Sequence, residues 1–150
     1  MKRIGLLLLL VVLASGSVWG EVVEIPDPKL RSELEKALKK GVGQPIAKEE
    51  LSNIASLFVS PNSPVKNLQG LQHCSSLSLL QIHEIYTKDL SPLKGLVNLK
   101  SLDIYTSHPS GWIDDLTFLQ DLTNLTRLAL PSHKIRDLSL LKNLPALTDF

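Results

Sequence analysis

The sequence predicts an α/β solenoid: short parallel strands stacked coil upon coil behind an N-terminal helical cap. Three observations predict it. Leu68, Leu90, Leu116 and Leu138 each open a run with an apolar residue at every third position, and these starts lie 22, 26 and 22 residues apart. A period of this length marks small units that bury their apolar sides only against their neighbours. Three of the runs lead into an alternating segment, Leu80-Gln81-Ile82, Leu102-Asp103-Ile104 and Leu128-Ala129-Leu130. Alternation puts two apolar side chains on one face of a strand and the middle residue on the other. Finally, an amphipathic segment precedes the runs and covers the place where the first strand would otherwise be open.

Read in order, residues 1–20 form an expected signal peptide. Lys2 and Arg3 are followed by an apolar stretch from Ile4 to Ala14 and then by small residues. Val18 and Gly20 suit cleavage before Glu21, and Ala14 and Gly16 offer an earlier site. The apolar stretch is shorter than the roughly 20 residues a spanning helix needs. The alternative is a retained interfacial anchor. The segment has no cysteine that could carry a lipid.

Residues 21–56 are the expected cap. Asp27 before Pro28 is a helix-start signal, since proline is tolerated in the first turn. Leu30, Leu34, Ala37 and Leu38 then share one face. Arg31 with Glu35, and Glu35 with Lys39, place opposite charges four apart on expected exposed positions. Gly41 and Gly43 are the expected stop. A second helix is expected over Lys48 to Ala55, with Leu51 and Ile54 inward. This charged segment reads either as a lid over the first strand's edge or as a partner surface.

Residues 57–150 are the expected repeats, the last one incomplete. The four runs are Leu68, Leu71, Cys74, Leu77, Leu80; Leu90, Leu93, Leu96, Leu99, Leu102; Leu116, Leu119, Leu122, Leu125, Leu128; and Leu138, Leu141, Leu144, Leu147, Phe150. Period 3 suits a 3₁₀-like return path with every third side chain inward. Parallel strands are expected near Leu57 to Val59, Leu80 to Ile82, Leu102 to Ile104 and Leu128 to Leu130, in that order.

The stretches DLSPLKGLVNLKSLDI and LTFLQDLTNLTRLAL resemble internalin-type bacterial leucine-rich repeats. The resemblance covers roughly residues 24–150, including a cap and first repeat in IPDPKLRSELEKALKK to LQGLQHCSSL. It implies a right-handed leucine-rich repeat solenoid, secreted or at a surface, that recognises a macromolecule. The chain departs from that family at the Asn expected five residues after the first strand leucine. Those places hold Asn62, Ile85, Ser107 and His133. Phe150 stands where the next strand leucine belongs.

Composition sets further bounds. The whole chain carries a net charge of +1. Lys2 and Arg3 leave with the leader, so 14 basic residues then face 15 acidic ones, a net of −1. This near-neutrality argues against a nucleic-acid or anionic-membrane binder. Cys74 is the single cysteine, which excludes an internal disulfide framework, and its place in the leucine column marks it as a small buried apolar residue.

The outward strand positions form the candidate binding face. Phe58, Gln81, Asp103 and Ala129 make one column. Ser56, Leu79, Ser101 and Arg127 flank it on one side, and Ser60, His83, Tyr105 and Pro131 on the other. Exposed Phe58, Leu79 and Tyr105 are anchor-type residues, though lone exposed hydrophobes also occur on inert surfaces. A four-residue insertion makes Ser107 to Asp115, SHPSGWIDD, a long turn. Such insertions map to loops on one face. Its Trp112 either anchors a partner or tucks against Ile113 and Leu116. The candidate partner-binding set is therefore Phe58, Leu79, Gln81, His83, Asp103, Tyr105, Trp112 and Arg127.

No enzyme constellation is present. His73, His83, His108 and His133 are scattered, without metal-site spacing, and there is no glycine-rich phosphate loop. His83 and Asp103 would be neighbours across two strands, but no nucleophile is placed with them. The sequon Asn124-Leu125-Thr126 matters only in a glycosylating host. No catalytic, metal-binding or cofactor-binding residue is assigned, and no cofactor. The reading is an exported, non-enzymatic scaffold that binds a protein by its strand face, with no nucleic acid and no membrane span in the mature chain. Two alternatives stand beside it: a targeting module or shortened relative of a longer exported effector or enzyme, and a structural protein that self-assembles through its C-terminal edge.

Overall fold

The computed structural model describes residues 20–131 and 133–150. The expected leader lies outside them except for Gly20. Two helices, α1 (Pro28–Ala37) and α2 (Lys48–Ser52), precede four strands, β1 (Ser56–Val59), β2 (Leu79–His83), β3 (Ser101–Tyr105) and β4 (Arg127–Ala129). The strands form one sheet in the order β1-β2-β3-β4, every pair parallel. The register follows the leucine column: Leu57, Leu80, Leu102 and Leu128 are successive partners. The return paths contain the expected 3₁₀ turns at Leu71–His73, Ser91–Leu93, Thr117–Leu119 and Ser139–Asn143.

Burial explains the period. Every member of the first three runs is buried, Cys74 included. The fourth run departs. Only Leu144 is fully buried, and Leu138 and Phe150 are 54% and 76% exposed, because no further coil covers them among the described residues. The edge of β4 is nonetheless partly paired. Arg127 and Asp149 form a parallel bridge, with Leu128 N–H donating to the Asp149 carbonyl at 2.8 Å. The last residues begin a fifth rung.

A device absent from the leucine pattern starts each return path. The residue ahead of each leading leucine is Asn67, Asp89, Asp115 or Asp137. Its Oδ1 accepts the backbone N–H two residues on, from Gln69, Ser91, Thr117 and Ser139, at 2.8–3.0 Å. These Asx turns fix the chain direction as it leaves the strand side. In Asp89, bonds from Ser91 hold the carboxyl below its ordinary value. Bonds from Thr117 and Ser139 do the same for Asp115 and Asp137.

The cap packs as a lid. Asp27 caps α1 through Oδ1, which accepts the Leu30 N–H at 2.8 Å, while Oδ2 accepts the Lys66 N–H at 2.7 Å. One buried carboxylate thus ties the helix to the chain after β1. Glu33 does the same from the next turn. Its Oε1 accepts from Lys29 (2.6 Å) and from Ser60 (3.0 Å). Burial pushes Glu33 up, but the bonds from Lys29, Ser60 and Lys36 outweigh it and leave the carboxyl below its ordinary value.

Three details differ from the sequence expectation. The helix α1 stops before Gly41, because Lys39 itself takes the left-handed conformation (φ 55°) and Lys40 N–H closes back on the Glu35 carbonyl. Glu35 is buried rather than exposed. It accepts from Arg31 Nε and from the Gly43 N–H, both at 2.9 Å, so it anchors the loop after the helix and not Lys39. The helix α2 ends at Ser52, where Asn53 caps it, three residues short of Ala55.

Candidate functional site

The register brings the outward residues together. Phe58, Gln81, Asp103 and Ala129 are successive partners across the sheet, as are Ser56, Leu79, Ser101 and Arg127. His83 pairs with Tyr105, so Asp103 stands opposite Gln81 and His83 opposite an aromatic ring. The His83 and Tyr105 rings stack with centroids 4.8 Å apart and planes 15° apart. Phe58 joins at 5.4 Å from His83, tilted by 57°. Three strands thereby present one continuous aromatic row, with Phe58 51% exposed. Offset and tilted contacts at these separations are the favourable geometries for rings.

Beside this row lies a charged one. Arg127 Nε stands 3.4 Å from Asp103 Oδ1, and its Nη1 pairs with Asp149. Asp103 Oδ1 is shielded from solvent and has no hydrogen-bond partner among the described residues, so the Arg127 charge beside it helps to offset it. The negative charge of Asp149, then of Asp103, pushes the Arg127 guanidinium above its ordinary value. One cation between two carboxylates leaves this row net negative. Leu79 is exposed at its margin.

The insertion is docked on both neighbouring coils. Its 3₁₀ turn, Pro109–Gly111, lies against the Ile85 carbonyl, which also accepts from Thr106 Oγ1 at 2.9 Å. The His108 ring stacks on Tyr86 at 4.6 Å. Toward the next coil, Ile113 is buried and its N–H donates to His133 Nδ1. Trp112 is half-buried, with Lys134 Nζ 4.0 Å from the ring centroid. Ile113 takes the buried place, and Trp112 lies at the surface under a cation.

His133 has a structural role that periodicity could not reveal. It occupies the position where the resemblance led one to expect Asn, and its ring does the work of an amide. Nδ1 accepts from Ile113 at 3.0 Å and Nε2 lies 3.1 Å from the Ile104 carbonyl. The other departures resolve differently. Ile85 is buried, whereas Asn62 and Ser107 are exposed. Side-chain amides instead link coils elsewhere: Asn98 donates to Ser75 and Asn124 to Val97, at 2.8 and 2.7 Å.

Cys74 is buried in the column, and burial pushes its thiol up to about 12, so it is not a nucleophile at neutral pH. Among the described residues, no group of three or more His, Cys, Asp and Glu could hold a metal ion. Two small grooves open between coils at the Asx edge, one lined by Lys66, Asn67, Gln69, Thr87 and Asp89, away from the strand face. No helix among the described residues is long and apolar enough to cross a membrane.

No family model and no curated relative matches the sequence. Solved structures do. The chain is similar to the internalin InlF of Listeria monocytogenes, at 28% identity over 83% of this chain and 42% of that one, with a TM-score of 0.65. It is similar to the internalin InlC2 of the same organism, at 26% identity, 83% and 63% coverage and a TM-score of 0.59. The functional domain of Listeria monocytogenes InlJ matches at 26% identity, 87% and 28% coverage and a TM-score of 0.70. That domain is described as including a cysteine ladder, whereas this chain has one cysteine. The chain spans 28–63% of the length of these three structures. In repeat pattern, sheet and cap together, the chain is an internalin-like leucine-rich repeat protein.

Proposed function

We propose that this chain is an exported recognition scaffold that binds a protein partner through its strand face. The observation that carries the reading is the aromatic row Phe58–His83–Tyr105, which runs across three strands and is open to solvent at Phe58. Pre-stacked rings on a rigid sheet lose little conformational freedom on binding, which favours them as anchors. Leu79 widens the apolar area. Asp103, Arg127 and Gln81 give it a polar side that selects among partners. Trp112, held at one margin by Lys134, extends the surface beyond the strand ends. The leader Met1–Gly20 supports export, as does the likeness to internalins.

The test is a paired substitution. Phe58→Ser with Tyr105→Ser should abolish capture of the native extracellular partner and leave the melting temperature within a few degrees. Capture that is unchanged in the folded double variant rejects the strand face as the site.

A second reading has its own observation. Leu138 and Phe150 are the most exposed large apolar residues of the leucine column, at the end of the stack. We infer that this end associates with another copy at high concentration. Sedimentation should show a size that rises with concentration and a monomer throughout for Leu138→Lys.

A further inference from the structure

We propose that His133 is an acid-released clip, which holds the Ile113 backbone of the Trp112-bearing insertion onto β3 while its imidazole is neutral and lets it go on protonation. The clip stands on two hydrogen bonds and does not depend on the strand-face reading above.

The partners fix the tautomer. A backbone N–H can only donate, so Nδ1 must carry a lone pair toward Ile113, 3.0 Å away. A carbonyl can only accept, so Nε2 must carry the proton toward Ile104, 3.1 Å away. A neutral imidazole therefore offers one acceptor and one donor, as an amide would. The difference lies in titration. A second proton on Nδ1 turns the acceptor into a donor facing the Ile113 N–H, and that bond is lost. The bond to Ile104 survives, since Nε2–H is unchanged. The charged ring stays on β3 and the Ile113 backbone is the part released.

The surroundings favour the neutral form. His133 is partly buried, and burial lowers its pKa below the ordinary 6.5, with the bond to Ile104 opposing. The titratable and charged groups on the elements packed around it are Asp103 and Tyr105 of β3, His108, Asp114 and Asp115 of the insertion, and Lys134 and Arg136 of its own coil. None of them contributes to the shift. Since the folded value lies below the unfolded one, the clip's contribution is complete above about 6.5 and is lost as pH falls through the folded value. The Asx carboxylates are held below their ordinary 3.8 by their turn bonds.

The insertion has other tethers: toward the following coil the Ile113 side chain is buried and Lys134 lies over the Trp112 ring. Lys88 to Asp114 is an exposed pair at 3.1 Å. The Tyr86–His108 stack and the Thr106 bond hold its first half to the preceding coil. Loss of the His133 bond thus frees the Ile113 N–H and loosens the backbone around it, while the Ile113 side chain and Lys134 still hold Trp112 and Ile113.

Nuclear magnetic resonance of the ¹⁵N-labelled full chain tests this. His133 should show the Nε2–H tautomer at neutral pH and a titration midpoint below 6.5. Protection of the Ile113 amide from exchange should fall by about tenfold or more with that same midpoint, the worth of one hydrogen bond. The Trp112 indole signal should move with it. His133→Asn should remove the transition, and His108→Gln should keep it. A His133 midpoint at or above the ordinary value, or Ile113 protection that persists through the midpoint, overturns the proposal in the native chain, whether or not either variant folds. Partner binding does not enter these readouts, so the clip stands or falls independently of the strand face as a binding surface.

Discussion

Gly111 lies so close to the Ile85 carbonyl that a β-carbon at this position would overlap the oxygen, with Thr106 Oγ1 also within 2.8 Å of it. The obstruction is backbone, which cannot swing aside as a side chain would. The insertion rests on the preceding coil only because residue 111 has no side chain. Gly111→Ala should therefore displace the insertion and cost about 1–3 kcal/mol, the usual range for forced overpacking. The amide signals of Ile113 and Trp112 should shift, while those of β1 and β2 stay in place. A variant with unchanged stability and an unmoved insertion contradicts the close contact.

Leu96 and Gln81 separate inside from outside. Leu96 is in the buried column and Gln81 is on the outward face. Leu96→Ala should destabilise by about 2–5 kcal/mol, and Gln81→Ala by less than about 0.5 kcal/mol, in denaturant titration. Equal effects would contradict the assignment of faces.

Asp27 serves two backbone groups with one carboxylate. Asp27→Ala removes the α1 cap and strands the Lys66 N–H, so it should cost about 2–4 kcal/mol, beyond an ordinary cap. Asp27→Asn keeps acceptor capacity for only one of the two donors and should fall between wild type and alanine. A cost below about 1 kcal/mol for the alanine variant would mean that water replaces both bonds.

Acid should loosen the return paths together. The carboxyls of Asp89, Asp115 and Asp137 are held below their ordinary 3.8 by bonds from Ser91, Thr117 and Ser139. The folded value is the lower one, so the stabilisation is complete above 3.8 and disappears as pH falls through the folded values. Replacing all three with Asn should keep the turns and flatten stability against pH in that range. An unchanged acid slope in the triple variant would place the effect elsewhere, with Glu33 the first residue to test.

The solenoid was legible in the sequence because its signal is repetitive. Each leucine position is repeated down the stack, and an error of one residue would turn a whole strand inside out. Strand order, register and the inward column of the first three coils could therefore be read directly. So could the outward columns, which follow by alternation. What could not be read depends on single backbone groups left open by a neighbouring coil. His133 looked like a missing Asn, because nothing in its own coil reveals the Ile113 N–H twenty residues earlier. Glu35 looked like an exposed member of a helix pair, and its burial depends on a loop that returns to it. The Asx turns were within reach: Asp followed two positions on by Ser or Thr recurs at Asp89, Asp115 and Asp137. That signal is hidden only if one counts leucines alone.

Site-specific photo-crosslinking asks directly whether the strand face is the binding surface. A photoreactive residue at position 81, between the aromatic and charged rows, is compared with one at position 120, on a return path. A partner adduct is expected from position 81 and none from position 120. An adduct from position 120 alone would rule out the strand face and move recognition to the return side of the coils.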